Sequence, residues 1–319
     1  MLDFQFDWDT PTSGDKVIFE ALRSHFRDDS NHDRINQYLD AARRIFDAAT
    51  QAMSIDNLVD AHEDERVTFV AKLAIVRSIH EAEGQSLCAR FVDGDRQRLE
   101  LGAFEGHWYN SLSKLLFEQV RVSTLDQVFA NLEIINFNYD RCLEGYLPYS
   151  IANYYGTGLE AATKLVQQLP MHRPYGRAGD LTSVKLGGVP AQRLTSVARG
   201  IRTFTEQIED DDALRGIQSC LASADRIVFL GFAFHRQNLK LLETDVQSHA
   251  EVLATTYGIS DRDSEVIADE IGTTFGIRDS SIEDRLLLTP VNCAQFFGEN
   301  WRTLTAESSE YHGYTVRNI

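Results

Sequence analysis

Residues Glu133 to Phe137 form a short, mostly apolar run that ends in two polar residues, Asn138 and Asp140. A helix-like pattern follows at once, with Leu143 and Leu147 four apart. An apolar run this short, bounded by polar residues, reads as a buried parallel strand. Asp140 suits a helix N-cap, because its carboxylate can accept from the free amides of the first turn. Strand, polar turn and helix in that order place Asn138 at the strand end, over the helix start. In open α/β sheets ligands bind at the carboxyl ends of strands. The helix N-terminus favours an anion such as a pyrophosphate. The same spacing also describes a plain capped turn in which Asn138 and Asp140 only hold the loop.

Two further runs read as strands: Ile227 to Leu230, ending in Gly231 where the backbone can approach a ligand, and Val252 to Thr256. We expect them beside Glu133–Phe137 in one sheet. Between Asp33 and Leu132 the pattern is helical. Ile35, Tyr38, Leu39, Ala42, Ile45, Phe46 and Ala49 mark one face, and Glu65 to Glu83 and Trp108 to Val120 repeat the period. Leu159 to Leu169 and Asp212 to Ala224 read as helices, Pro170 to Tyr175 as a short strand or loop, and Arg177 to Pro190 as a loop. The tail from Ile282 reads as a packing helix, and Gln237 to Leu242 as a helix start. Strands alternating with helices argue for an α/β fold with a doubly wound, mostly parallel, Rossmann-like sheet. We expect a single domain, 1–319, with an α-helical insertion at 33–132.

The 319 residues carry 43% hydrophobic content, enough for a full core. A formal net charge of −17 opposes any broad phosphate-binding surface, so nucleic acid is not an expected partner. No apolar run reaches the roughly 18 residues of a membrane span. The N-terminus has neither a basic segment nor an apolar one behind it, which makes the cytoplasm the expected compartment. Cys88, Cys142, Cys220 and Cys293 are far apart and form no CxxC pair. The histidines and cysteines show no metal-ligand spacing, so no metal is expected.

Four segments, in order, carry a resemblance. They are Ser54-Ile55-Asp56-Asn57-Leu58, Phe137-Asn138-Tyr139-Asp140 with Glu144, His172-Arg173-Pro174-Tyr175-Gly176, and Phe229 to Asn238. This set resembles the motifs of bacterial SIR2-like domains of the sirtuin superfamily. The resemblance implies a SIR2-like fold in which helices such as 33–132 form a lid beside a cofactor cleft. It implies NAD as substrate or ligand. Asn138 would position the ribose or a water, Asp140 would fix the loop or contact the nicotinamide end, and His172 could substitute as the base only if the loop turns its ring inward. Phe137, Tyr175, Gly176, Gly231, Phe232 and Asn238 would contact the cofactor. It further implies NAD glycohydrolase activity in anti-phage defence, with a homo-oligomer or an infection-sensing partner protein.

The chain departs from that pattern in three places. The glycine-rich loop expected near the N-terminus is absent before Thr10-Pro11-Thr12-Ser13-Gly14, so it either lies upstream of Met1 or has been lost. Tyr175, not His, precedes Gly176, and a phenol with an ordinary pKa of about 10 is a poor base at neutral pH. The paired cysteines of a zinc ribbon are missing, which argues against protein deacetylation. An inactive nucleotide-binding or assembly module is therefore the competing reading.

Overall fold

The computed structural model describes residues 1–7, 10–27, 33–89, 92–93, 96–97, 99–203, 206, 211–244, 248–277 and 285–306. Trp8, Ile282 and the last thirteen residues lie outside this set. The fold is mixed α/β and mostly helical, with small parallel sheets. It divides into two compact units. Unit one comprises Met1–Leu99, Asn136–Tyr146 and Arg173–Asp210; unit two comprises Glu100–Ile135, Leu147–His172 and Asp211–Ile319. The helical segment 33–132 is thus shared between the units, divided at Leu99 and Glu100.

Unit one opens with an antiparallel hairpin, β1 (Gln5–Asp7) and β2 (Thr10–Ser13). Helix α1 (Lys16–His25) follows, capped by the Asp15 side chain, which accepts from the Ile18 amide at 2.9 Å. Next come α2 (Asp33–Ala48), α3 (Ile55–His62) and α4 (Glu65–Gln85), of which α2 and α4 match amphipathic segments of the sequence. Ser54 caps α3, so the Ser-Ile-Asp segment is a helix start. A small antiparallel hairpin, β3 (Val92–Asp93) with β4 (Arg96–Gln97), closes this stretch. The core gathers Ile18 and Leu22 of α1, Ala41, Ala42 and Ile45 of α2, Val67, Val70 and Leu73 of α4, and Leu194 and Ala198.

Toward its C-terminus α4 buries polar groups instead. His80 and Glu83 are buried there with Arg141, which is 0% exposed. The Arg141 guanidinium and backbone amide both donate to Glu83, at 3.0 Å and 2.9 Å on the same oxygen, and the second carboxylate oxygen takes another guanidinium hydrogen bond. The remaining donors reach the carbonyls of Val184 at 2.6 Å and Lys185 at 3.3 Å. Each side-chain nitrogen and oxygen of the pair has at least one hydrogen-bond partner, as a tolerated buried ion pair requires.

In unit two, α5 (Trp108–Phe117) precedes β5 (Ile134–Ile135). Helix α6 (Cys142–Tyr155) crosses the unit boundary after Tyr146 and contains Pro148. Helix α7 (Leu159–Val166) leads to β6 (Met171–His172), which pairs in parallel with β5. Strands β7 (Arg226–Phe229), β8 (Glu251–Thr255) and β9 (Leu286–Thr289) form a second parallel sheet in the order β7-β8-β9. The connections between them carry the helices Arg236–Lys240 and Asp261–Thr274, the latter capped by Ser260. β8 is almost wholly buried, as its apolar run requires. In unit one, α8 (Ala191–Ala198) completes the core.

Two expectations are corrected. Glu133–Phe137 does not join the other two runs in one sheet: β5 pairs with β6, and among the described residues no strand links them to β7-β8-β9. The run also yields a strand of only two residues. The Asn136 carboxamide oxygen takes the Asn138 amide at 2.9 Å, and such a side-chain turn competes with ladder pairing. The tail is not helix throughout, since Leu286–Thr289 is a strand, followed by the helices Cys293–Glu299 and Trp301–Thr305. A short apolar run carries no period that separates strand from helix.

The buried pair makes a stability prediction. Removing one partner, as in Arg141→Met, leaves a buried charge and should cost roughly 3–5 kcal/mol. The double replacement Glu83→Leu with Arg141→Met should cost less than either single change. Urea denaturation followed by circular dichroism measures both, and additive losses would contradict the coupling.

Candidate functional site

The Asn138 loop lies in unit one and is held from several sides. The Asn138 carbonyl accepts from Arg173 Nη1 at 2.7 Å, and the Tyr139 carbonyl accepts from the Ala178 amide at 2.9 Å. The Tyr139 hydroxyl donates to the Arg202 carbonyl at 3.3 Å, and the Tyr175 carbonyl accepts from the Arg202 amide at 3.0 Å. Asp140 lies one residue ahead of the cap position, which is Arg141, and its carboxylate accepts from the Cys142 amide, the first of α6, at 3.0 Å. Asn138 itself is exposed, and its carboxamide makes no hydrogen bond among the described residues.

Beside this loop the chain from 173 to 200 lines an open cleft of about 520 Å³. Arg173, Arg177 and Arg193 line it together with Gly176, Gly179 and Gly200. Gly176 has φ +78°, and a Cβ there would collide with the Gly200 carbonyl oxygen. Only glycine closes this turn, which is what the Tyr-Gly pair supplies. Arg173 is largely buried and pairs with Glu144 at 2.7 Å, yet its Nε and the Glu144 Oε2 are buried without a hydrogen-bond partner. Arg177 pairs with Asp180, and Arg193 donates to the Ser183 carbonyl. Hydrogen bonds from Thr182 hold the Asp180 carboxyl below the usual range. Asp180 lines the same space, so with Arg173 paired to Glu144 and Arg177 to Asp180, Arg193 is the lining cation that has no carboxylate partner among the described residues.

The sequence candidates fall into two groups. Phe137, Asn138, Asp140, Tyr175 and Gly176 are brought together in unit one, with the Phe137 and Tyr175 ring centroids 6.0 Å apart. Tyr175 is buried, and burial, then the Asp56 carboxylate, pushes its phenol well above the ordinary value. Tyr139 shifts the same way for the same causes. Burial, then Glu206, raises the Asp56 carboxyl.

His172, Gly231, Phe232 and Asn238 belong to unit two. The His172 Nε2 lies 3.1 Å from the Glu133 carboxylate. Gly231 has φ +61° at the end of β7, and its amide donates to Thr255 Oγ1 at 2.9 Å. Phe232 packs its ring against Phe229 and Phe234, at 5.1 Å and 5.2 Å between centroids, as a core residue does. Asn238 lies within the helix Arg236–Lys240. Unit two also brings Glu133, His172 and Cys220 together, three donors that sequence spacing did not reveal. Burial, then Glu133, pushes the Cys220 thiol up to about 12.

Sequence reasoning missed the arginines. Arg173 sits inside the His-Arg-Pro-Tyr-Gly segment, but nothing in that pattern shows Arg177 and Arg193 facing the same space. No family model, no curated protein and no solved structure matches this chain.

His80 ties the buried network to this loop. Its Nε2 meets the Ala178 carbonyl at 3.0 Å and its Nδ1 faces the Arg141 guanidinium at 3.3 Å. With Arg141 donating to Nδ1, the hydrogen-bond pattern assigns the proton to Nε2 and leaves the ring neutral. Burial, then Arg141, holds the His80 pKa below 6.5. Below about pH 6.5 the unfolded chain therefore binds a proton that the folded one resists. Stability should fall as pH drops from about 6.5 toward the lowered folded value, and His80→Gln should flatten that part of the profile. A profile unchanged by the substitution would remove His80 from the account.

Proposed function

We propose that this chain is a SIR2-like nucleotide-handling protein whose ligand is NAD or a related nucleotide, held in unit one at the arginine-lined cavity beside Asn138. The observation that supports this most is Arg173, which lines the cavity and holds the Asn138 carbonyl, so an anion in the cavity and a ribose at Asn138 would share one anchor. On this reading the small parallel sheets are what remains of a doubly wound, Rossmann-like arrangement. Cleavage of the nicotinamide–ribose bond develops oxocarbenium character. The free Asn138 carboxamide would hold the ribose or the attacking water there. A role in anti-phage defence, with a homo-oligomer or an infection-sensing partner, rests on the sequence resemblance.

One observation favours the competing reading of a non-catalytic nucleotide-binding or assembly module. The residue at the base position is Tyr175, whose raised pKa makes proton abstraction at neutral pH unfavourable. Nicotinamide release and calorimetry, run on wild type and Asn138→Ala, separate the two. A glycohydrolase should lose roughly 10²-fold or more in turnover on losing this preorganised group, with a smaller change in affinity. A binding module shows no turnover, and Asn138→Ala changes affinity only. In either case Arg193→Gln should weaken NAD binding by roughly tenfold or more, the range for a charge-assisted hydrogen bond. Failure of wild type to bind NAD would end the nucleotide reading.

A further inference from the structure

We infer that Glu133, His172 and Cys220 of unit two form a transition-metal site whose donor set fits Zn²⁺. The inference goes beyond the nucleotide reading and does not depend on it.

The site follows from strand register. β5 and β6 pair in parallel with Ile135 opposite His172. Side chains two apart on a strand share a face, so Glu133, just before β5, lies on the His172 face. The 3.1 Å approach of His172 Nε2 to the Glu133 carboxylate follows from that placement. The third donor comes from the helix Asp211–Ser223. Cys220 is four residues after Gly216, so the two share a helix face. Gly216 is where that helix meets the imidazole: a Cβ there would lie 3.1 Å from His172 Nδ1 and 3.2 Å from Cε1. A glycine at this position leaves room for the ring under the helix, and the thiol one turn on reaches the same cluster. The three donor atoms all lie within 4.8 Å of one another.

The chemistry of the set narrows the ion. A thiol, an imidazole and a carboxylate suit zinc and related transition metals, whereas magnesium and calcium take oxygen ligands. Tetrahedral zinc at its usual bond lengths holds donors roughly 3.3–3.8 Å apart. The donors need shift by no more than about an ångström, a side-chain rotation. The His172 and Glu133 side chains are 26% and 43% exposed, which gives an ion a path in and leaves a fourth position for water. Three protein ligands with one open position is the arrangement of zinc sites that bind a further ligand. His172 would then be a metal ligand, and its two partners explain why an imidazole stands at the end of so short a strand.

The test uses the intact chain after chelator treatment, titrated with Zn²⁺ against a chromophoric chelator and separately with Co²⁺. The expected result is one Zn²⁺ per chain. Co²⁺ should give the intense visible bands of tetrahedral coordination and a near-ultraviolet thiolate-to-cobalt charge-transfer band. Cys220→Ser should abolish the charge-transfer band and weaken Zn²⁺ at least about tenfold, since a hydroxyl replaces the soft ligand. Glu133→Gln should weaken Zn²⁺ by a similar factor and keep the band, which holds the test open if the serine variant folds poorly. Cys88→Ser should change nothing. Absence of stoichiometric binding by wild type overturns the site. So does a charge-transfer band that survives Cys220→Ser or disappears with Cys88→Ser.

Discussion

The carboxylate of Glu83 and the guanidinium of Arg141 hold unit one together where its apolar core ends. Neither group reaches water. A charge in that position is stable only when its hydrogen-bonding capacity is used in full. Arg141 directs its donors to Glu83, His80, Val184 and Lys185, and so ties α4, the Asn138 loop and the chain that lines the cleft into one network. Replacing the pair with apolar side chains would keep a core there but would not dictate the path of those carbonyls. The ion pair thus specifies a conformation more than it adds stability.

That conformation carries the candidate site. Asp140 turns the chain into α6, Arg141 anchors it next door, and Asn138 is left exposed two residues earlier. His80 and Arg173 fasten the facing loop through Ala178 and Asn138. The loop must then turn tightly at Gly176, where no side chain fits. The cavity is a consequence of these fastenings, and its arginines are spread along a stretch that has no regular structure until α8.

How much of this is legible in the sequence depends on the range of the interaction concerned. The amphipathic helices Asp33–Ala48 and Glu65–Gln85 follow from their own periodicity, and the caps at Asp15 and Ser54 and the Asp140 turn follow from local hydrogen bonding. Strand pairing does not. β5 is cut to two residues by the Asn136 turn and pairs with β6, a choice set by which chain segment arrives beside it. The turns of the candidate site are legible at Asp140 and Gly176, whose local hydrogen bonding and backbone angle follow from residue type. The site is not legible at Arg193, nor at Arg141, which reads as an ordinary surface cation until Glu83 is seen beneath it. The trio Glu133, His172 and Cys220 is invisible for the same reason, since only strand register and one helix turn bring it together.

The central claim is that the loops fastened by Arg141 form an anion site for a nucleotide. Amide hydrogen exchange on the intact chain, with and without saturating NAD, tests it most directly. The account predicts slowed exchange concentrated at residues 136–140 and 173–200. Unchanged exchange in both segments, or protection confined to other parts of the chain, would contradict it.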